Sequence, residues 1–129
     1  LGLRGGLYDP DDLKWAIEQG ITIISTDKFY EIGMAESIKI IKDTIGDTPT
    51  YFTFDIDGID PTYAPGTGTP EVGGINVHEA QLLIRNLKDL NFIGADVVEV
   101  SPPFDVNNMT SLVGATIAFE ILCTMTRTN

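Results

Sequence analysis

Apolar positions along this chain follow two rhythms: short runs of β-branched and aromatic residues, and longer stretches whose apolar side chains recur every three or four positions. Leu1-Gly2-Leu3-Arg4 reads as the tail of a strand that Gly5 and Gly6 release into a loop. A helix is predicted over residues 9 to 19, with Asp9 as cap, Pro10 at the first helical position and acids on the positive end of the helix dipole. Gly20 ends it, and Ile21-Thr22-Ile23-Ile24-Ser25 has the unbroken apolar character of a strand buried on both faces. Ile38, Ile41 and Ile45 predict a second helix over residues 34 to 45, stopped by Gly46. The run Tyr51 to Phe54 is of strand type and delivers Asp55 and Asp57 at its carboxyl end, followed by a loop rich in Gly, Pro and Thr through Gly74. Asn76 and Glu79 form a capping-box pattern for a third helix with Ala80, Leu83, Ile84 and Leu87 on one face. Residues 95 to 100 predict a fourth strand, ended by Pro102 and Pro103. A last helix over residues 109 to 126 is nearly apolar from Leu112 to Met125 and is therefore expected to be well buried, with Cys123 a small core residue inside it.

Strands alternating with helices are the pattern of an α/β fold with a parallel sheet and right-handed crossovers. No internal repeat, linker or low-complexity tract interrupts it. In such sheets functional groups gather beyond the carboxyl ends of the strands, where Asp55, Asp57 and Glu99 all fall. Residues i and i+2 of a strand share a face, so the two aspartates are expected to converge on one point that suits a metal. Glu99 lies among Val97, Val98 and Val100, where a carboxylate is costly unless it meets a cation, a metal or a hydrogen-bond donor. A salt bridge to Arg4 or Arg85 is the plain structural alternative.

Composition narrows the setting. With 129 residues, 43% of them hydrophobic, and a mean hydropathy of +0.08, the chain has material for a real core. A net charge of −11 with eight Lys and Arg argues against nucleic acid or an anionic membrane as partner, favours cations, and otherwise describes a well-solvated surface. A single cysteine excludes an internal disulfide and a cysteine-rich zinc site. No signal-peptide pattern opens the chain and no uninterrupted apolar run reaches bilayer length, so a cytoplasmic setting is expected. The chain does not open on Met, which suggests a piece of something longer.

Several acidic motifs compete for residues 55 to 60. An EF-hand loop needs Gly at its sixth position and Glu at its twelfth, where Asp60 and Gly66 stand. A chitinase-like strand needs a closing Glu that residues 56 to 61 lack. A phosphatase of the haloacid dehalogenase type would use Asp55 as nucleophile and Asp57 as acid/base, but Ile59 replaces its usual small residue and no suitable Lys or Asp-Asp motif follows. Thr53-Phe54-Asp55-Ile56-Asp57-Gly58-Ile59-Asp60-Pro61, then Pro65-Gly66-Thr67-Gly68-Thr69-Pro70 and Gly73-Gly74, closely resembles a signature of the ureohydrolases: arginases, agmatinases and guanidino-acid hydrolases. The resemblance extends to Val97-Val98-Glu99-Val100-Ser101-Pro102-Pro103-Phe104-Asp105 and to Gly2-Leu3-Arg4, so that the whole chain lies along the C-terminal half of such an enzyme. Thr53 stands where Ser is commoner.

The resemblance implies a three-layer α/β/α fold of arginase type and a hydrolase that uses two Mn²⁺ ions per active site, with Asp55 bridging both, Asp57 holding one and Glu99 gripping the substrate guanidinium. Carboxylates are hard ligands suited to Mn²⁺, and two cations about 3.5 to 4 Å apart bring a bridging water's pKa down toward roughly 7. Hydroxide attack on the guanidinium carbon would give urea and an amine. The loop of residues 65 to 74 would then let backbone approach the site without side-chain bulk, a packing role. The family's histidine-bearing ligand motifs and its proton-shuttling His do not occur here. The one histidine, His78, falls in the first turn of the third helix and reads as a surface residue. The isolated chain is accordingly expected to be inactive, the remaining ligands lying outside it, and the competing reading is a non-catalytic relative or fragment serving only in assembly. Gly5-Gly6-Leu7 stands where arginases carry two acids, which points to agmatine or a guanidino acid such as 4-guanidinobutyrate. Trp15 and Tyr8 are read as packing or loop-anchoring residues before pocket lining. A trimer or hexamer is expected by resemblance alone.

Overall fold

Residues 9–126 are described by the structure, a computed structural model. They form α1 (Pro10–Glu18), α2 (Thr26–Ile45), β1 (Thr50–Asp55), α3 (Val77–Arg85), β2 (Phe92–Val98) and α4 (Met109–Thr126), with short 3₁₀ turns at Ile56–Gly58 and Pro102–Phe104. The strands β1 and β2 pair in parallel, and α3 makes the crossover between them. An irregularity between Thr50 and Tyr51 sets the register, which then runs in step to Asp55 opposite Val98.

Local codes account for most element starts. Asp9 caps α1 by accepting from the Asp11 N–H at 2.9 Å. Asn76 and Glu79 close the capping box of α3 in both directions at 2.8 Å. Asp105 receives the Thr110 and Ser111 N–H groups at 2.8 Å and so satisfies the first turn of α4.

Phe52, Phe54, Ala95 and Val97, on one face of the strand pair, join a core filled from the helices by Phe29, Ile84, Val113, Ile117 and Ile121. Ile56, Ile75, Ile84 and Ile117 are fully buried, each burial stabilising by about 1.5–3 kcal/mol. Tyr51, Thr53, Asp55 and Asp96 are exposed, so the described residues supply two of the three layers expected.

Four expectations need correction. Residues 21–25 form no strand: Ile24 is buried, but Ile21 and Ile23 are exposed, and no neighbour pairs with the run among the described residues. A β-branched run becomes a strand only when hydrogen-bonded alongside another. The second helix starts at Thr26, not Met34, because Ser25 caps it by accepting from the Lys28 N–H at 3.2 Å. Gly33, at φ 80°, breaks the helix internally, and the apolar periodicity read from the sequence describes only the part beyond that break. The strand placed at residues 95 to 100 runs instead from Phe92 to Val98 and leaves Glu99 outside it. Finally, α4 is not buried all round. It is long and apolar enough to cross a membrane by length and composition, yet its buried side packs on the core while Leu112, Phe119 and Leu122 are exposed along one stripe and Cys123 is only half-buried.

Candidate functional site: an acidic rim at the strand ends

Asp55 is the last residue of β1, while Asp57 lies past the strand in the 3₁₀ turn. Strand alternation therefore does not relate the two aspartates, contrary to the sequence reading. A turn does: Asp55 Oδ1 accepts from the Asp57 N–H at 2.9 Å. Buried Ile56 and Ile59 anchor that turn in the core, which points the acids outward.

The Asp57 carboxylate is held on both oxygens. The Thr67 hydroxyl donates to Oδ1, and the Thr69 hydroxyl donates to Oδ2 at 2.5 Å. Thr67 is itself buried, at 2% exposure, and its loop is fastened on two sides. The Ser101 N–H donates to Gly66 O at 2.8 Å, the Gly66 N–H donates to Thr110 Oγ1 at 2.8 Å, and Thr67 bridges to Val100. A Cβ on Gly66 would stand 2.7 Å from Asp105 Cα, so this contact requires glycine. The loop was expected to serve packing more than chemistry. Its glycine is packing, but its threonines reach a candidate ligand, and the sequence signal was the hydroxyl pair of Thr67-Gly68-Thr69 a short loop after the acids.

Glu99 follows β2 directly, with φ 66° in the left-handed region that residues with a side chain seldom occupy. Because Asp55 stands opposite Val98, Glu99 lies at the same rim as the aspartates. Its side chain is exposed rather than enclosed by valines, and the salt bridge to Arg85 does not form: Arg85 pairs with Glu120 on α4. Arg4 and Tyr8 lie outside the described residues. Among the described residues no ion pair involves Asp55, Asp57 or Glu99.

Other acids nearby serve the backbone. Asp60 accepts from the Thr62 N–H at 2.9 Å and the Gly73 N–H at 2.7 Å, tying the two ends of the long loop together. Hydrogen bonds from the Thr62 side chain and backbone, then from Gly73, bring its carboxyl down to about 2. Burial pushes the Asp105 carboxyl up, but the hydrogen bonds from Ser111 and Thr110 together outweigh it and leave it below the usual value. His78 is exposed in the first turn of α3, and Trp15 is exposed on α1.

A groove of about 460 Å³ follows β1 toward Asp55 and Asp57, walled by Ile41 and Ile45 of α2, by Leu83 of α3 and by Leu87 just after it. Its walls are apolar along most of its length, and only the end at the rim carries carboxylates. Among the described residues no group of three or more His, Cys, Asp or Glu side chains could hold a metal ion. Asp55 and Asp57 are hard oxygen donors of the kind that suits Mn²⁺ or Mg²⁺, so they fit a divalent cation in kind and supply part of a ligand set.

The sequence is 51% identical over 123 residues to a guanidinopropionase of Pseudomonas aeruginosa, covering 95% of this chain and 39% of the relative. It is 41% identical over 125 residues to a guanidinobutyrase of the same organism, again covering 39% of that protein. The solved proclavaminate amidino hydrolase of Streptomyces clavuligerus superposes with a TM-score of 0.94 at 38% identity, over 100% of this chain and 43% of that one. The chain thus spans about 40% of the length of the relatives it matches, and its fold is arginase-like. A family description reading Arginase family matches residues 1–124, and the chain belongs to the arginase family.

Proposed function

We propose that this chain is the C-terminal portion of a ureohydrolase domain that hydrolyses a small guanidino compound to urea and an amine. The observation that carries the reading is the rim itself: Asp55, Asp57 and Glu99 stand together at the ends of two parallel strands with no cation paired to them among the described residues. Acids arranged at one edge without a counter-charge suit a cationic occupant. Asp55 and Asp57 would hold Mn²⁺ in a two-metal site, with the remaining ligands outside this chain. When bound, the metal supplies Lewis-acid activation of water. Glu99 would receive the guanidinium nitrogens through charge-assisted hydrogen bonds, which suits its exposure and its backbone conformation. One water is consumed, the bond from the guanidinium carbon to the substituted nitrogen breaks, and that nitrogen leaves protonated as the amine.

The relatives' names favour guanidino acids such as 3-guanidinopropionate or 4-guanidinobutyrate, and Gly5-Gly6-Leu7, where arginases carry two acids, keeps agmatine in the same class. Assembly as a homo-oligomer belongs to the same proposal. The test is urea release by the full-length polypeptide carrying this chain, with Mn²⁺, on 3-guanidinopropionate, 4-guanidinobutyrate, agmatine and guanidine. Mn²⁺-dependent turnover of one of them is expected, and no urea from any overturns the reading. The short ligand count within this chain favours one competing reading, a non-catalytic half that serves only in assembly. The purified 129-residue chain alone is expected to release no measurable urea.

A further inference from the structure

We infer that Thr67 and Thr69 are positioning residues that set the Asp57 carboxylate for its metal, an inference that rests on the metal-ligand reading of Asp57. The other carboxylates that shape loops in this chain lean on backbone N–H groups: Asp55 on that of Asp57, Asp60 on those of Thr62 and Gly73 with the Thr62 hydroxyl added, and Asp105 on those of Thr110 and Ser111 with the Ser111 hydroxyl added. Asp57 is held differently, by two side-chain hydroxyls from ten and twelve residues away, one on each oxygen. Two donors on two oxygens fix both the plane and the rotation of a carboxylate. Each oxygen keeps a further lone pair for a cation. The donors are also neutral, so they orient the group without neutralising it, whereas an arginine or lysine there would compete with the metal for its charge.

The mounting of the loop matches that task. Thr67 is buried, its backbone bridges to Val100 immediately after Glu99, and Gly66 is tied to both Ser101 and Thr110. A hydroxyl on a segment fastened to the end of β2 and to the start of α4 relates Asp57 rigidly to the segment carrying Glu99. Groups that hydrogen-bond a ligating side chain in this way typically govern metal affinity by about 10–100-fold.

The experiment is titration of the full-length polypeptide with Mn²⁺, followed by electron paramagnetic resonance, beside thermal unfolding in EDTA. The Thr67→Val/Thr69→Val variant removes both hydroxyls at nearly constant volume and is expected to weaken Mn²⁺ binding by about 10–100-fold. The Thr→Ser pair, which keeps the donors, is expected to bind within a few-fold of wild type. Thr69 is exposed, so Thr69→Val alone keeps the test available if the double variant does not fold, and it is expected to lose part of the affinity. Unchanged Mn²⁺ affinity in a folded Val variant, with or without lowered thermal stability, overturns the inference and leaves Asp57 as a ligand untouched. Failure of the Ser variant to restore binding overturns it as well. A wild-type protein that binds no Mn²⁺ overturns the metal reading, and the positioning role with it.

Discussion

Glu120 on α4 and the three acids of the strand rim carry the same functional group in opposite settings. Glu120 is 9% exposed and enclosed by its own chain: the Arg85 guanidinium meets it with two hydrogen bonds, one of 2.8 Å from Nε, and Gln81 donates a third at 3.2 Å. It fastens α3 to α4, and nothing about it calls for a ligand. Asp55, Asp57 and Glu99 are more open: Asp55 is met by a backbone N–H and Asp57 by two hydroxyls, and none of the three has an ion pair among the described residues. The difference teaches where to look for chemistry. A carboxylate already closed by a cation has completed its work in folding, whereas carboxylates oriented by neutral donors keep their charge for something that arrives.

The sharpest way to break this contrast is Asp57→Ala in the full-length polypeptide. Urea release is expected to fall by more than about 100-fold, beyond the usual cost of losing a group that merely orients a ligand. Circular dichroism and thermal unfolding in EDTA should stay close to wild type, and a collapse of the fold would show that Asp57 belongs with Glu120 after all. Glu120→Ala should do the reverse. It strands the guanidinium of Arg85 between α3 and α4, so the melting temperature is expected to drop while turnover per folded molecule holds; loss of turnover at full stability would place Glu120 in the site.

The smallest effect concerns Asp60, a loop-tying acid close to the rim. Its folded value of about 2 lies below the ordinary 3.8, so its hydrogen bonds contribute stability that is fully present above about pH 4 and is lost as pH falls through about 2. Denaturant unfolding of wild type and Asp60→Asn should therefore show a stability difference at pH 6 that narrows between about pH 4 and pH 2. A difference independent of pH would mean that Asp60 acts through packing alone.

Much of the fold was legible wherever the signal is local. The strand at residues 51 to 54 was found within one residue at each end, the Asn76–Glu79 box was read from its spacing, and the break after α1 was announced by Gly20. Such signals involve groups a few positions apart, which the chain brings together by its own covalent geometry. Ser25 was a local signal too, but Gly33 beyond it masked the first part of α2 by interrupting the periodicity. Legibility failed where the deciding partner was distant. Ile21 to Ser25 has every property of a strand except a neighbour, and Arg85 was a free candidate for Glu99 until α4 brought Glu120 against it.

By itself, then, the amino-acid sequence determined the alternation from β1 through α3 and β2 to α4, the capped starts of α1 and α3, the delivery of Asp55 at a strand end with Asp57 just beyond it, and the resemblance that the family comparison upheld, while the strand read at residues 1 to 4 lies outside the described residues. Tertiary structure alone decided that Asp57 sits in a turn, that Thr67 and Thr69 close on its two oxygens, that Glu99 leaves β2 at a positive φ, and that Arg85 is spent on Glu120. The physical reason is separation along the chain. Caps and periodicities are settled within a turn or two, whereas a hydroxyl twelve residues from its acceptor finds it only when Gly66 is pressed against Asp105 and the loop is fastened to Ser101 and Thr110.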